Sequence, residues 1–152
     1  MKQQIIFIEL LIANKTKCVC DISEHLYNIN KTVSIFVKDL SELGQLDERL
    51  WTWKQESFVP HSIQQPDKEA AEPVRLTSDS EQLPSSDIII LNDPIPLEKL
   101  TTYKLIIDFA EVYHAERIEQ SRERFRVCRD AGYPVEFLKL GAFMSLDASA
   151  LT

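Results

Sequence analysis

Arginine is concentrated in one short stretch of this sequence. The chain holds seven arginines, and five fall between positions 117 and 129: Arg117, Arg122, Arg124, Arg126 and Arg129. Glu119 and Glu123 are the only acids inside that window, so it carries a surplus of three positive charges. On a helix, Arg122, Arg126 and Arg129 are spaced four and three apart and share one face, with Phe125 at its edge. Guanidinium groups offer paired donors to a carboxylate, and an aromatic ring beside them lines a pocket for an apolar group. Such a face suits a ligand that ends in an apolar side chain and a carboxylate. Two other readings stand beside it. One is a solvated helix face with weak Glu–Arg pairs. The other is a basic helix, Arg117–Arg129, that binds single-stranded nucleic acid directly.

A second group is aromatic. Trp51–Ile63 (WTWKQESFVPHSI) carries both tryptophans, Phe58 and Pro60 in an apparent loop. Exposed, these rings suit a protein-binding hot spot. Folded back, they form a satellite core under the loop. Groups for an enzyme mechanism are sparse. His25, His61 and His114 are scattered, and neither HxxxH nor a Cys/His ligand spacing occurs. Cys18 and Cys20 are two apart on an expected helix and face different ways, which disfavours a metal pair. Cys128 is expected in the core. Asp108 ends an apolar strand, where α/β sheets often carry function, but a single carboxylate makes no mechanism.

Composition narrows the classes further. The 152 residues suit one domain, 1–152, with enough chain for a hydrophobic core. The net charge is −7, so outside the arginine window the chain carries ten more negative than positive charges. That balance argues against wrapping nucleic acid. Three isolated glycines cannot write GxGxxG or GxxxxGK[ST], so neither phosphate loop is present. No cofactor is expected. The apolar run Ile5–Ile12 is too short to span a membrane and contains Glu9. Low, odd cysteine usage and the lack of a secretory signal lead to a cytoplasmic expectation.

The elements that must position these residues follow a strand–helix alternation. Gln4–Ile12 is nearly continuous apolar sequence, as expected for a strand covered on both faces. Thr16–Asn28 and Asp39–Leu50 have helical spacing of apolar residues, and Thr32–Val37 between them is a second buried strand. Residues 62–86 form a polar loop region with one short strand at Val74–Thr77. Asp87–Leu91 and Tyr103–Phe109 are further strands, with a helical turn in Pro94–Leu100 between them. His114–Ala131 is the longest helix, ended by Gly132 and Pro134. Pro134–Leu140 is a last strand, and 145–152 is a frayed tail. Strand, helix, strand, helix is the signature of an α/β domain.

LDERLW (Leu46–Trp51), ESFVPH (Glu56–His61) and RERFRVCRDAGY (Arg122–Tyr133) resemble the chi subunit family of bacterial DNA polymerase III. The order PVRLT (Pro73–Thr77), DIIIL, apolar strand, long helix is similar as well. The resemblance implies a three-layer α/β fold, with a central, mostly parallel sheet and helices on both faces, like nucleotide-binding domains but without their phosphate loop. It implies an accessory subunit without catalysis or cofactor, which links the psi subunit of the clamp loader to single-stranded-DNA-binding protein. It implies that Trp51, Phe58 and Pro60 belong to the psi-binding surface. A helicase is a further candidate partner there. It also implies that Arg122 and Phe125 receive the acidic C-terminal tail of single-stranded-DNA-binding protein. Arg126 and Arg129 join that set by sharing the helix face. The family can place a lysine one turn before the first arginine. This chain has Ile118 there, and Arg117 points about 100° away.

Overall fold

A computed structural model describes residues 3–52, 58–65 and 71–151, apart from the side chains of Ala148 and Ser149. The alternation expected from sequence is present. In chain order the elements are β1 (Gln4–Leu10), α1 (Lys15–Asn28), β2 (Val33–Phe36), α2 (Leu40–Thr52), β3 (His61–Ile63) and β4 (Val74–Thr77). They continue with β5 (Ile88–Leu91), β6 (Leu105–Glu111), α3 (Ala115–Asp130), β7 (Val135–Leu138) and α4 (Leu140–Met144). The seven strands form one sheet in the order β3-β4-β2-β5-β6-β1-β7, and every pairing is parallel.

Strand periodicity explains the layers. Successive side chains leave a strand on opposite faces, so an unbroken apolar run fills two cores at once. In β1, Ile6, Ile8 and Leu10 join the larger core, with Val19, Ile22 and Leu26 of α1 and Leu43, Leu46 and Leu50 of α2. Ile5 and Phe7 turn the other way, into a second core with Ile89, Leu91, Ile106 and Cys128 of α3. Helices α1, α2 and α4 therefore cover one face, and α3 covers the other together with the turn at Leu97–Lys99. Tyr103, in the connection before β6, is fully buried, and its hydroxyl donates to the carbonyl of Pro84.

Several stretches differ from the sequence expectation. Leu140, expected at the end of the last strand, instead opens the unexpected helix α4. Helix α2 continues to Thr52, so Trp51 is helical and not part of a loop. The polar region 62–86 contains the end of an edge strand, β3, paired with β4. With three residues, HSI, β3 is too short for its periodicity to be seen; it exists because β4 presents an open edge. The segment 145–152 is not frayed throughout. Residues Ala148–Leu151 make a last 3-10 turn, and Leu151 is 3% exposed in the larger core beside Phe143 of α4. Thr152 lies outside the described residues.

The end of α3 matters because that helix carries the arginines. Gly132 has φ +88°, its N–H donates to Arg129 O at 3.0 Å, and the Tyr133 N–H donates to Cys128 O at 3.3 Å. These two bonds close the last turn through a left-handed residue. A Cβ at Gly132 would meet nothing within 4 Å, so only backbone strain opposes a side chain there. Gly132→Ala is expected to cost about 1 kcal/mol in urea denaturation. An unchanged midpoint would show that the glycine is not required.

Candidate functional site

Two surfaces emerge. The first is aromatic. Leu43, Leu46 and Leu50 bury one stripe of α2. Trp51, one residue past Leu50, is rotated off that stripe and remains 49% exposed. Phe58 is 66% exposed, and its ring centroid lies 5.8 Å from that of Trp51. Pro60 is half-buried beside them. His61 supports the pair from below: it is buried, and its ring lies 4.1 Å from Trp51. Its Nδ1 is 2.6 Å from Val59 O and its Nε2 2.9 Å from Asp47 O. His61 is thus a tie between β3 and α2 and not the loop residue expected from its neighbours. Trp53, Glu56 and Ser57 lie outside the described residues.

The second surface is α3. Arg122, Arg126 and Arg129 are all exposed. Phe125 is turned inward, with its ring 5.3 Å from Phe7, so it forms a wall of the second core and not a free-standing ring among guanidinium groups. Each of the five arginines has a carboxylate. Arg122 pairs with Glu119 at 3.2 Å, Arg126 with Glu123 at 2.6 Å and with Asp130 at 3.8 Å, and Arg129 with Asp130 at 3.6 Å. Arg117 reaches Glu111 at 3.7 Å. The surplus counted along the sequence is thus largely offset in space by Asp108, Glu111 and Asp130.

Arg124, which the face argument left out, points toward the sheet. Its Nε and Nη2 donate to Asp108 at 2.9 and 3.3 Å, and Nη2 also donates to Phe109 O at 3.0 Å. Asp108 is 6% exposed, and its Oδ1 also accepts the Phe109 N–H at 2.7 Å. Burial pushes the Asp108 carboxyl above the ordinary range, and Arg124 opposes that rise. The pair lines an apolar pocket of about 310 Å³ with Ile5, Leu91, Ile95 and Val127. On the helix wheel that pocket flanks α3 opposite to Arg122, Arg126 and Arg129.

Other polar and nucleophilic groups are paired with one another or buried. At the carboxyl ends of the strands, where open α/β sheets hold ligands, Lys15 pairs with Glu111 at 3.2 Å and donates to Asn92 O at 2.9 Å. Tyr113 also donates to Glu111, at 2.9 Å. The thiols of Cys18 and Cys20 are buried and pushed up to about 12, and that of Cys128 to about 11, chiefly by burial. Among the described residues no three His, Cys, Asp or Glu side chains are grouped to hold a metal ion.

A family model described as DNA polymerase III chi subunit, HolC, matches residues 1–136. The chain belongs to that family. This chi-family chain is 29% identical over 116 residues to DNA polymerase III subunit chi of Escherichia coli K12, covering 76% of this chain and 78% of the relative. It is 26% identical over 126 residues to the chi subunit of Pseudomonas aeruginosa, covering 80% and 84%. In fold it is similar to the C-terminal domain of Dbp5 from S. cerevisiae, in a structure with Gle1 and IP6. That likeness has a TM-score of 0.63 at 13% identity and covers 99% of this chain and 98% of that one. A second structure of the C-terminal domain of the DEAD-box protein Dbp5 gives 0.57 at 14%, covering 93% and 91%. At those identities the likeness speaks to fold alone.

In this chi-family chain the aromatic pair lies by β3, one end of the sheet, whereas α3 packs over β6 and near β7, toward the other end and on the opposite face. The buried Asp108–Arg124 pair was not visible in sequence. Its members are 16 residues apart on different elements, and no local spacing links them. Asp108, mid-strand among apolar neighbours from Leu105 to Ala110, was the available signal, since such a group needs a partner.

Proposed function

We propose that the chain is a non-catalytic accessory subunit of DNA polymerase III in DNA replication, and that it bridges two proteins. Trp51, Phe58 and Pro60 would take the psi subunit of the clamp loader. Arg122, Arg126 and Arg129, with Phe125 behind them, would take the acidic C-terminal tail of single-stranded-DNA-binding protein. The family match carries the polymerase assignment. The exposed Trp51–Phe58 pair is the observation that most favours a protein partner. Large rings left half in water are costly for a monomer and typical of hot spots. The separation of the two surfaces fits a bridge, because partners of ordinary size would not collide. A cytoplasmic location follows from that role, and no described helix is long and apolar enough to cross a membrane.

The tail assignment has a direct test. Arg122 is 74% exposed in its side chain, so its removal leaves the fold intact. Arg122→Ala is expected to weaken binding of a tail peptide by about 1.5 kcal/mol, roughly tenfold, at low salt. The difference should shrink as salt screens the pair. Calorimetry that finds equal affinities at low salt would remove Arg122 from the site.

A further inference from the structure

Resting on the tail-binding reading above, we propose that Glu119, Glu123 and Asp130 are built-in competitors that set how tightly α3 takes an acidic ligand. The exposed side of the helix is already paired. Arg122 Nη1 donates to Glu119 Oε1 at 3.2 Å. Arg126 grips Glu123 with two groups: Nη2 is 2.6 Å from both carboxylate oxygens, and Nε is 3.2 Å from Oε2. Asp130 sits between Arg126 at 3.8 Å and Arg129 at 3.6 Å. Arg122 and Arg126 of the proposed receiver therefore already donate to a carboxylate of their own helix, as they would to an incoming one, and Arg129 has a carboxylate at ion-pair distance.

Exposure decides whether these pairs can yield. The side chains of all six residues are between 56% and 75% exposed. Pairs in water contribute little, so an incoming carboxylate can displace them. The Asp108–Arg124 pair is the contrast: its side chains are only 22% and 9% exposed. Displacement does not remove the competitor, because Glu119, Glu123 and Asp130 remain tethered within a turn of the ligand. They repel an acidic tail and return when it leaves. The helix then binds such a tail reversibly and discriminates against ligands with too few contacts to displace several pairs.

The test uses the full chain and an acidic peptide that ends in an apolar residue with a free carboxylate, read by fluorescence anisotropy. Glu119→Gln and Glu123→Gln keep shape and remove charge. Each is expected to tighten binding roughly twofold to threefold at low salt, the two together more, and all proteins should converge at high salt. A matched control neutralises exposed acids elsewhere, Glu48→Gln with Glu98→Gln. Equal tightening by the control pair would mean that net charge alone acts, and would overturn the proposal. So would unchanged or weaker binding by Glu119→Gln/Glu123→Gln while Arg122→Ala still weakens it, an outcome that leaves the tail-binding reading standing. Binding that appears only in the neutralised protein supports the proposal. Binding by neither protein overturns both.

Discussion

Asp108→Leu will lower the stability of the fold by about 3 kcal/mol in urea denaturation, the low end of the range for breaking a buried ion pair. The carboxylate is 6% exposed and takes three donors: Arg124 Nε, Arg124 Nη2 and the Phe109 N–H. Removing it strands the Arg124 guanidinium between α3 and β6. The low end applies because the Arg124 side chain retains 22% exposure, so some water reaches the stranded charge. The same reasoning predicts a rescue. Asp108 and Arg124 face Ile5, Leu91, Ile95, Ile106 and Val127, so Asp108→Leu combined with Arg124→Met places two apolar side chains in apolar surroundings. An ion pair exchanged for packed apolar groups is often neutral, and more than half of the loss should return. If the two changes instead add as independent losses, the cost of the first did not come from the orphaned charge.

Phe58→Ala will cut capture of the psi subunit by thirtyfold or more, about 2 kcal/mol, with no change in melting temperature. The two halves of that expectation have separate grounds. Phe58 is 66% exposed, with its ring beside that of Trp51, so little native packing is lost. In a complex the same ring would be buried against a partner, and aromatic anchors dominate such interfaces. Trp51→Ala is a less clean probe, because Trp51 also covers His61 at 4.1 Å and its loss opens the tie between α2 and β3. Undiminished co-purification of psi with the Phe58→Ala protein would count against the aromatic surface.

Much of the architecture was legible before any coordinates. The isoleucine runs of β1, β5 and β6 are apolar at both parities, which only a strand covered on two sides requires. Leucines at 43, 46 and 50 specify the inner face of α2, and Gly132 with Pro134 specifies where α3 must stop. β3 was not legible, because three residues carry no period and the strand is held by its neighbour's open edge. Nor was the anchoring of Leu151, because two leucines five apart, Leu146 and Leu151, carry no periodic signal.

The arginine stretch shows the same division. Spacing alone determined that Arg122, Arg126 and Arg129 lie on one side of a helix, because the helical repeat is a property of the backbone. The three isolated glycines likewise write neither GxGxxG nor GxxxxGK[ST]. Only the tertiary structure decided what each charge meets. It turned Phe125 onto Phe7, sent Arg124 to Asp108, and brought Glu111 to Arg117. The reason is physical. A charge count along the chain sums residues near in sequence, whereas electrostatic energy depends on distance in space and on exposure to water. Packing α3 against β6 brings two strand carboxylates to a helix that looked strongly positive on paper. What remains is a surface with exposed, paired arginines and one largely buried pair that ties the helix to β6.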